Sequence, residues 1–406
     1  PRSRVHIEDA KTFFSTHRTR YDIIISEPSN PWVSGVAGLF SSEFYVHARR
    51  HLREGGLFVQ WVQLYEFSPE LLASVIQALS PVFSDYVIWL ANDGDLIIVA
   101  ANGGRVPEPQ AAAMADPRIA EVLDRFHIRT LDDLLLHRVA SRAAMEAYFS
   151  SFGVEPNSDF FPTVDLHAAK ARFMKSQATA PLRLTEAPLP VLDFLDRGYT
   201  PDPARVTRRP GYVGTKRRAF VLQAEVAHDY MLKGDVRLLS ELSSEFAGQL
   251  ALLRAAIVDC RIAPSPDLLP TPMFDLARLA NGFLRAEQAS AIWARLNASR
   301  CKERLDKSTR RWLALHTAVA ARQATEMADA AEKLLKEEPE LRHNDRSYAV
   351  AVLMAGRLLA GENGLANKVF QEYRTKLRPE PQWQPVFTLL SAHALGPVLG
   401  TPLASR

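Results

Sequence analysis

The stretch YDIIISEPSNPWVSGVAGLFSSEFY, residues 21–45, decides the fold. Its opening, Tyr21 to Ser26, is a β-branched run without sustained polar alternation, the pattern of a strand buried on both faces of a parallel sheet. Pro28 and Pro31 stop it, because proline has no amide to give to a ladder. From Ser41 to Arg53, Phe44, Tyr45, Ala48 and Leu52 recur at helical spacing, and Gly55-Gly56 reads as the helix stop. A second apolar run, Leu57 to Val62, follows. Strand, helix, strand predicts a parallel unit and hence an α/β fold class.

Outward from this unit, Arg4 to Ile7 carries a short strand signal that runs into Glu8, Asp9 and Ala10 and then an amphipathic helix. A strand cannot lead a parallel sheet without neighbours, so the expectation is a chain that enters in mid-domain, before which further strands stand. Downstream, Ser68-Pro69-Glu70 is a capped helix start, and the helix runs to about Leu79. Tyr86 to Leu90 and Leu96 to Ala100 flank an Asp-Gly turn and predict a hairpin, an antiparallel edge to the sheet.

The remaining chain divides by composition. Residues 1–104 are the α/β part, residues 105–180 a mixed helical extension, and residues 181–210 a proline-rich linker or wrapping arm. From 211 to 397 the pattern is helical throughout, as in Arg217 to Leu232, Thr309 to Arg322 and Ser347 to Leu359, with Gly234, Gly361 and Gly364 as punctuation. Tyr348 to Tyr373 has the rhythm of a tetratricopeptide-type (TPR-like) hairpin, so degenerate helical repeats are expected, with an irregular bundle as the alternative.

Charge bounds the partners. Against 49 basic residues stand 46 acidic ones, a formal charge of +3, which gives no electrostatic reason to expect nucleic acid or an anionic membrane. No apolar run approaches the ~20 residues that span a bilayer. Cys260 and Cys301 lack the spacing of a metal site or the density of a disulfide scaffold, and read as buried, reduced thiols of a cytoplasmic protein. No metal is expected.

In open α/β sheets ligands bind beyond the carboxyl ends of the strands, which singles out Asp9-Ala10, the loop SEPSNPW at 26–32, and Gln60 to Tyr65. An acidic residue followed by a small one can accept from an exocyclic amine and leave room for a flat ring, although Asp9 could equally cap the next helix. The SEPSNPW loop packs a carboxylate, Glu27, and an amide, Asn30, between two prolines, as a rigid loop beside a ligand would. Gln60 interrupts an apolar strand where an unpaired amide costs about 1–3 kcal/mol, so it faces a site or a polar network. Tyr65 follows the same strand and lines the pocket or the core.

Taken together, Asp9-Ala10 before a helix, YDIIISEPSNPWVSGVAGLFSSEFY, the run to Gly55-Gly56 and LFVQWVQLY resemble the spermidine synthases, above all the spermidine synthase-like domains fused to membrane-transporter segments. NSDFFPTVDL, at 157–166, is similar to a downstream motif of the same group. The resemblance implies the C-terminal half of a Rossmann-like, S-adenosylmethionine-dependent methyltransferase fold ahead of the helical domain. It further implies that Asp9 and Ala10 bind the adenine of S-adenosylmethionine or its decarboxylated form. Glu27 then stands at the position of the catalytic aspartate. Asn30, in place of a second aspartate, joins Gln60, Tyr65 and Asp159 on the side of an amine substrate. One carboxylate where the family keeps two makes putrescine a poor acceptor, and the glycine-rich loop and ribose-binding acid of such enzymes are expected ahead of Pro1. The reading is a divergent aminopropyl- or methyltransferase. Its alternatives are a non-catalytic helical-repeat protein that binds a protein partner, or the cytosolic portion of a transporter fusion.

Overall fold

A computed structural model of the chain describes residues 3–33, 35–196, 200–208, 215–263, 265–378 and 380–396. They fall into two compact units: one draws together the chain up to Glu108 with His137–Leu182, the other joins Pro109–Leu136 to Arg183–Gly396.

The first unit is a five-stranded mixed sheet with helices. Its strands are β1 (Tyr21–Ser26), β2 (Leu52–Gln63), β3 (Asp85–Asn92), β4 (Asp95–Ala101) and β5 (Arg138–Ser141), in the order β1-β2-β4-β3-β5. Only β1 and β2 pair in parallel, and every other pairing is antiparallel. The helices are α1 (Ala10–Thr16), α2 (Ser42–Arg50), α3 (Pro69–Leu79), α4 (Arg142–Ser150) and α5 (Thr163–Phe173). Ser41 caps α2 by accepting from the Phe44 amide, and Ser68 caps α3 by accepting from Leu71, so both predicted starts are where short hydroxyl side chains put them. Phe58 stacks on Phe83 at 5.3 Å and meets Tyr45 edge-on at 5.6 Å. Each of these three rings is buried, and burial of that kind stabilises by roughly 1.5–3 kcal/mol per side chain.

Four expectations are corrected here. Arg4 to Ile7 forms no strand, and Ile7 is 99% exposed, because no ladder partner flanks it among the described residues. β1 is not buried on both faces: Ile23 and Ile25, two residues apart and so on one face, are 55% and 70% exposed, because no described element covers that face of this edge strand. Gly55-Gly56 does not stop α2, which ends at Arg50. The glycines instead lie inside β2, where the register against β1 jumps from Tyr21↔Leu52 to Ile23↔Leu57. A Cβ on Gly56 would meet the Arg53 and Asp22 carbonyl oxygens at 2.9 and 3.1 Å, so the bulge requires glycine. The fourth is β5, a strand of four residues in a region read as helix and loop, too short to show a period of two.

In the second unit every regular element among the described residues is a helix. The longer ones include Lys216–Lys233, Pro270–Phe283, Ala286–Asn297, Lys307–Ala320, Ala324–Glu337 and His343–Leu359. The proline-rich stretch is packed rather than loose: Leu184, Leu189, Val191, Phe194 and Val206 are all buried, because its prolines space apolar residues that find a core. Cys260 and Cys301 are joined in a disulfide, which overturns the reading of two reduced thiols. The left-handed backbone at Cys260 (φ 57°) turns the chain after the π-helical segment Arg254–Val258, bringing together two cysteines whose 41-residue separation hid their proximity. No helix among the described residues is long and apolar enough to cross a membrane.

The core of this unit holds a histidine. His316 lies between the Trp293 and Trp312 rings, 5.2 and 5.5 Å away, and neither of its nitrogens has a hydrogen-bond partner among the described residues. Complete burial pushes its imidazole down to about 3 from the ordinary 6.5. Below pH 6.5 the unfolded chain takes up a proton there that the folded one refuses. The stability this residue contributes is therefore whole above 6.5 and declines as pH falls toward 3, by up to about 1.4 kcal/mol per unit. Urea unfolding between pH 7 and 4 should show His316→Phe losing less stability on acidification than the parent chain.

Candidate active site

The carboxyl ends of β1 and β2 lie side by side, with Ser26 opposite Gln60 in the parallel register. Gln60 is fully buried, its Nε2 donating to the Ser26 carbonyl at 3.3 Å and the Trp61 carbonyl at 2.9 Å. Among the described residues its Oε1 has no partner, and neither polar atom of the buried Gln63 has one. Buried amides without partners are costly, so the end of β2 offers acceptors and donors that nothing among the described residues uses. Sequence reasoning passed over Gln63, although a second amide in an apolar strand was the available signal.

Past β2 the chain is clamped on both sides. The Leu64 amide donates to the Gly94 carbonyl at 2.7 Å, Phe67 to Ser176 at 3.1 Å, and Ala178 back to Leu64 at 2.8 Å. This holds Tyr65 against Gly94, where an added Cβ would touch its ring at 3.5 Å. The Tyr65 hydroxyl then accepts from Asn30 Nδ2 at 3.3 Å, tying the loop after β1 to the loop after β2. Pro31 of that loop is buried, and Trp32 lies under the Arg172 guanidinium at 5.0 Å. Glu27, directly after β1, is exposed, and no hydrogen bond or ion pair engages it among the described residues.

Asp9 caps α1: its Oδ1 accepts from the Thr12 amide at 2.9 Å and the Thr12 hydroxyl at 3.2 Å. The Thr12 amide bond, foremost, holds its carboxyl below the usual range. Its Oδ2 takes no hydrogen bond among the described residues, and Ala10 opens the helix half-buried beside it. His6, Glu8 and His17, around the same helix, bring one ligand-type atom each within 4.8 Å of one another. One turn into α1, Lys11 holds Asp159 with Nζ–O distances of 2.6 and 2.8 Å. The Asp159 amide donates to Glu43 at 2.9 Å. Asn157 anchors that loop: it is buried, donates to the Ala37 carbonyl at 3.2 Å and accepts from the Val164 amide at 3.0 Å. Lys11 was not legible as a site residue, since its partner lies 148 positions away.

The structure therefore brings together Gln60 with the end of β1, and Asn30 with Tyr65. Asp159 is held to α1 by Lys11, two residues past the Asp9 cap. Chemically, the first group offers a free carboxylate and orphaned amides, the second a carboxylate oxygen beside a small residue.

The spermine/spermidine synthase domain family matches residues 1–91. A polyamine aminopropyltransferase of Pyrobaculum aerophilum is 28% identical over 129 residues, 30% of this chain and 44% of the relative. One of Hamiltonella defensa is 35% identical over 91 residues, 22% of this chain and 31% of the relative. Polyamine aminopropyltransferase 1 of Pseudomonas aeruginosa is 42% identical over 59 residues, 14% of this chain and 20% of the relative. The chain thus spans less than half the length of these relatives. No solved structure gives a significant match. Residues 1–91 are accordingly a spermidine synthase-like domain.

Proposed function

We propose that this domain belongs to a transferase that moves an aminopropyl or methyl group from decarboxylated S-adenosylmethionine or S-adenosylmethionine to an amine, on a Rossmann-like sheet of the methyltransferase type. The observation that carries the reading is Glu27: a carboxylate with no partner among the described residues, at the end of a strand, beside a loop fixed by the Asn30–Tyr65 contact. The residues present suit the nucleotide in part. Asp9 Oδ2 is free to accept from an adenine amine, and Ala10 leaves room for the ring. The bound nucleotide supplies a carbon activated by a sulfonium, already a good leaving group.

What falls to the protein is positioning and the ammonium proton. Glu27 takes or orients that proton, so that a neutral nitrogen lone pair faces the carbon. Asn30, Tyr65 and Gln60 hold the acceptor by hydrogen bonds. Asp159, already neutralised by Lys11, adds no free charge, so the site offers a dication one carboxylate rather than two. The acceptor fitted best is an amine with one charged end near Glu27. The helical unit is read as degenerate TPR-like repeats that serve a protein partner.

Isothermal titration with S-adenosylmethionine, its decarboxylated form and methylthioadenosine tests the nucleotide end. Binding is expected, and Asp9→Asn should weaken it by roughly ten-fold, the worth of one charge-assisted hydrogen bond. Equal affinity of parent and variant, or no binding of any of the three, would remove the assignment.

A further inference from the structure

The near balance of charge over the whole chain hides a local concentration. Residues 300–311 (RCKERLDKSTRR) hold six basic and two acidic side chains, so these twelve residues carry more net positive charge than the entire chain at +3. The structure turns the end of this stretch into a wall. On the helix Lys307–Ala320, Lys307, Arg310, Arg311 and Ala314 fall at the three- and four-residue spacing of one face. The helix Ala324–Glu337 opposes it with Ala330, Lys333 and Glu337, and between the two runs a groove of about 450 Å³.

Its cations are unequally engaged. Arg311 is held by Glu337 and by Glu338, the latter at 3.1 Å, and belongs to the scaffold. Arg310 has, among the described residues, only a loose contact of 3.8 Å with the exposed Glu303. Lys307 and Lys333, both exposed, have no ion-pair or hydrogen-bond partner among the described residues. Free charges therefore line both walls, while Ala314 and Ala330 leave the floor shallow enough for a backbone to approach.

We propose that this groove is a docking site for an acidic peptide segment, bound extended with its carboxylates toward Lys307, Arg310 and Lys333. The alternatives that share a negative charge fit less well. Single-stranded nucleic acid is held by aromatic platforms as well as cations, and no aromatic side chain lines the groove. An anionic membrane is a flat surface and would reach neither the alanine floor nor both walls together.

The test uses the full chain and a fluorescein-labelled peptide of about ten alternating glutamates and alanines, long enough at ~3.3 Å per residue to run through the groove. A glutamine-for-glutamate version is the control. Fluorescence anisotropy should show saturable binding of the acidic peptide alone, weakened by salt. Lys307→Glu with Lys333→Glu should lower the affinity at least about ten-fold, and Lys307→Gln with Lys333→Gln by less, as expected for wall charges in contact with the ligand. The neutral pair decides the matter if the reversed pair loses its helical circular dichroism. Equal binding by parent and neutral variant, failure of the parent to bind, or tighter capture of oligothymidylate or phosphatidylserine vesicles than of the peptide would each overturn the proposal.

Discussion

Replacing Glu27 with glutamine is expected to lower the rate of group transfer by about 10²- to 10⁴-fold, the range that a positioned general base contributes. Affinity for the nucleotide should stay within a few-fold, roughly, because the carboxylate is assigned to the acceptor and its proton. The change is nearly isosteric and falls on an exposed residue without a partner among the described residues, so it should not disturb the fold. The measurement is single-turnover transfer beside a binding titration, across a pH series. Loss of the rate at unchanged affinity supports the assignment. Transfer that survives the substitution would make Glu27 a bystander and return weight to a domain that binds without turning over.

The largest effect on stability is expected at Asp133, in the second unit. Its side chain is fully buried and accepts from the Arg129 and Thr130 amides, each at 3.0 Å, from the Thr207 amide at 2.9 Å and from the Thr207 hydroxyl at 2.6 Å. Arg218, itself buried, lies 3.2 Å away. Burial alone would raise this carboxyl, but the hydrogen bonds from Thr207, Arg129 and Thr130 outweigh it and hold the group ionised below the usual range. Asp133→Ala would leave the Arg129, Thr130 and Thr207 donors without their acceptor and take the carboxylate away from the Arg218 guanidinium, which keeps its bond to the Thr207 carbonyl. About 3–5 kcal/mol should be lost, as when one partner of a buried pair is removed. Urea unfolding followed by helical circular dichroism checks this. A loss under about 1 kcal/mol would mean that water replaces the carboxylate without cost, as at a surface pair.

How much of this was legible in the sequence depends on the range of the interactions. β1 spans the six residues of YDIIIS, and α3 runs from Pro69 to Leu79 behind its serine cap, because caps and apolar runs are local signals. The β3–β4 hairpin is likewise local, with Asn92 and Asp95 paired across Asp93-Gly94 and the Asn92 side chain accepting from Gly94 at 2.7 Å. Gly55-Gly56 misled because glycine marks any unusual backbone, and a bulge needs it as much as a helix end. The burial of Gln60 was legible as an amide among apolar residues, and the position of Glu27 directly after β1 as a carboxylate ahead of Pro28. Lys11–Asp159 and the disulfide were not, since a contact between distant positions leaves no trace in either stretch alone. The basic groove escaped for a different reason: a total of charge averages away its distribution.

The membership of Pro109–Leu136 in the second unit, ahead of β5 in the chain, bears on how the protein is made. Asp133 leaves the ribosome 74 residues before Thr207, the partner that donates to it most closely. At ordinary rates of translation, about 5–20 residues per second, the carboxylate waits roughly 4–15 seconds for it. During that interval the nascent chain has already completed β1 to β5, while the helix Leu131–Leu135 has no finished unit to join. The short segment between the two parts of the first unit is thus the place where a chaperone or a protease would find this chain most open during its synthesis.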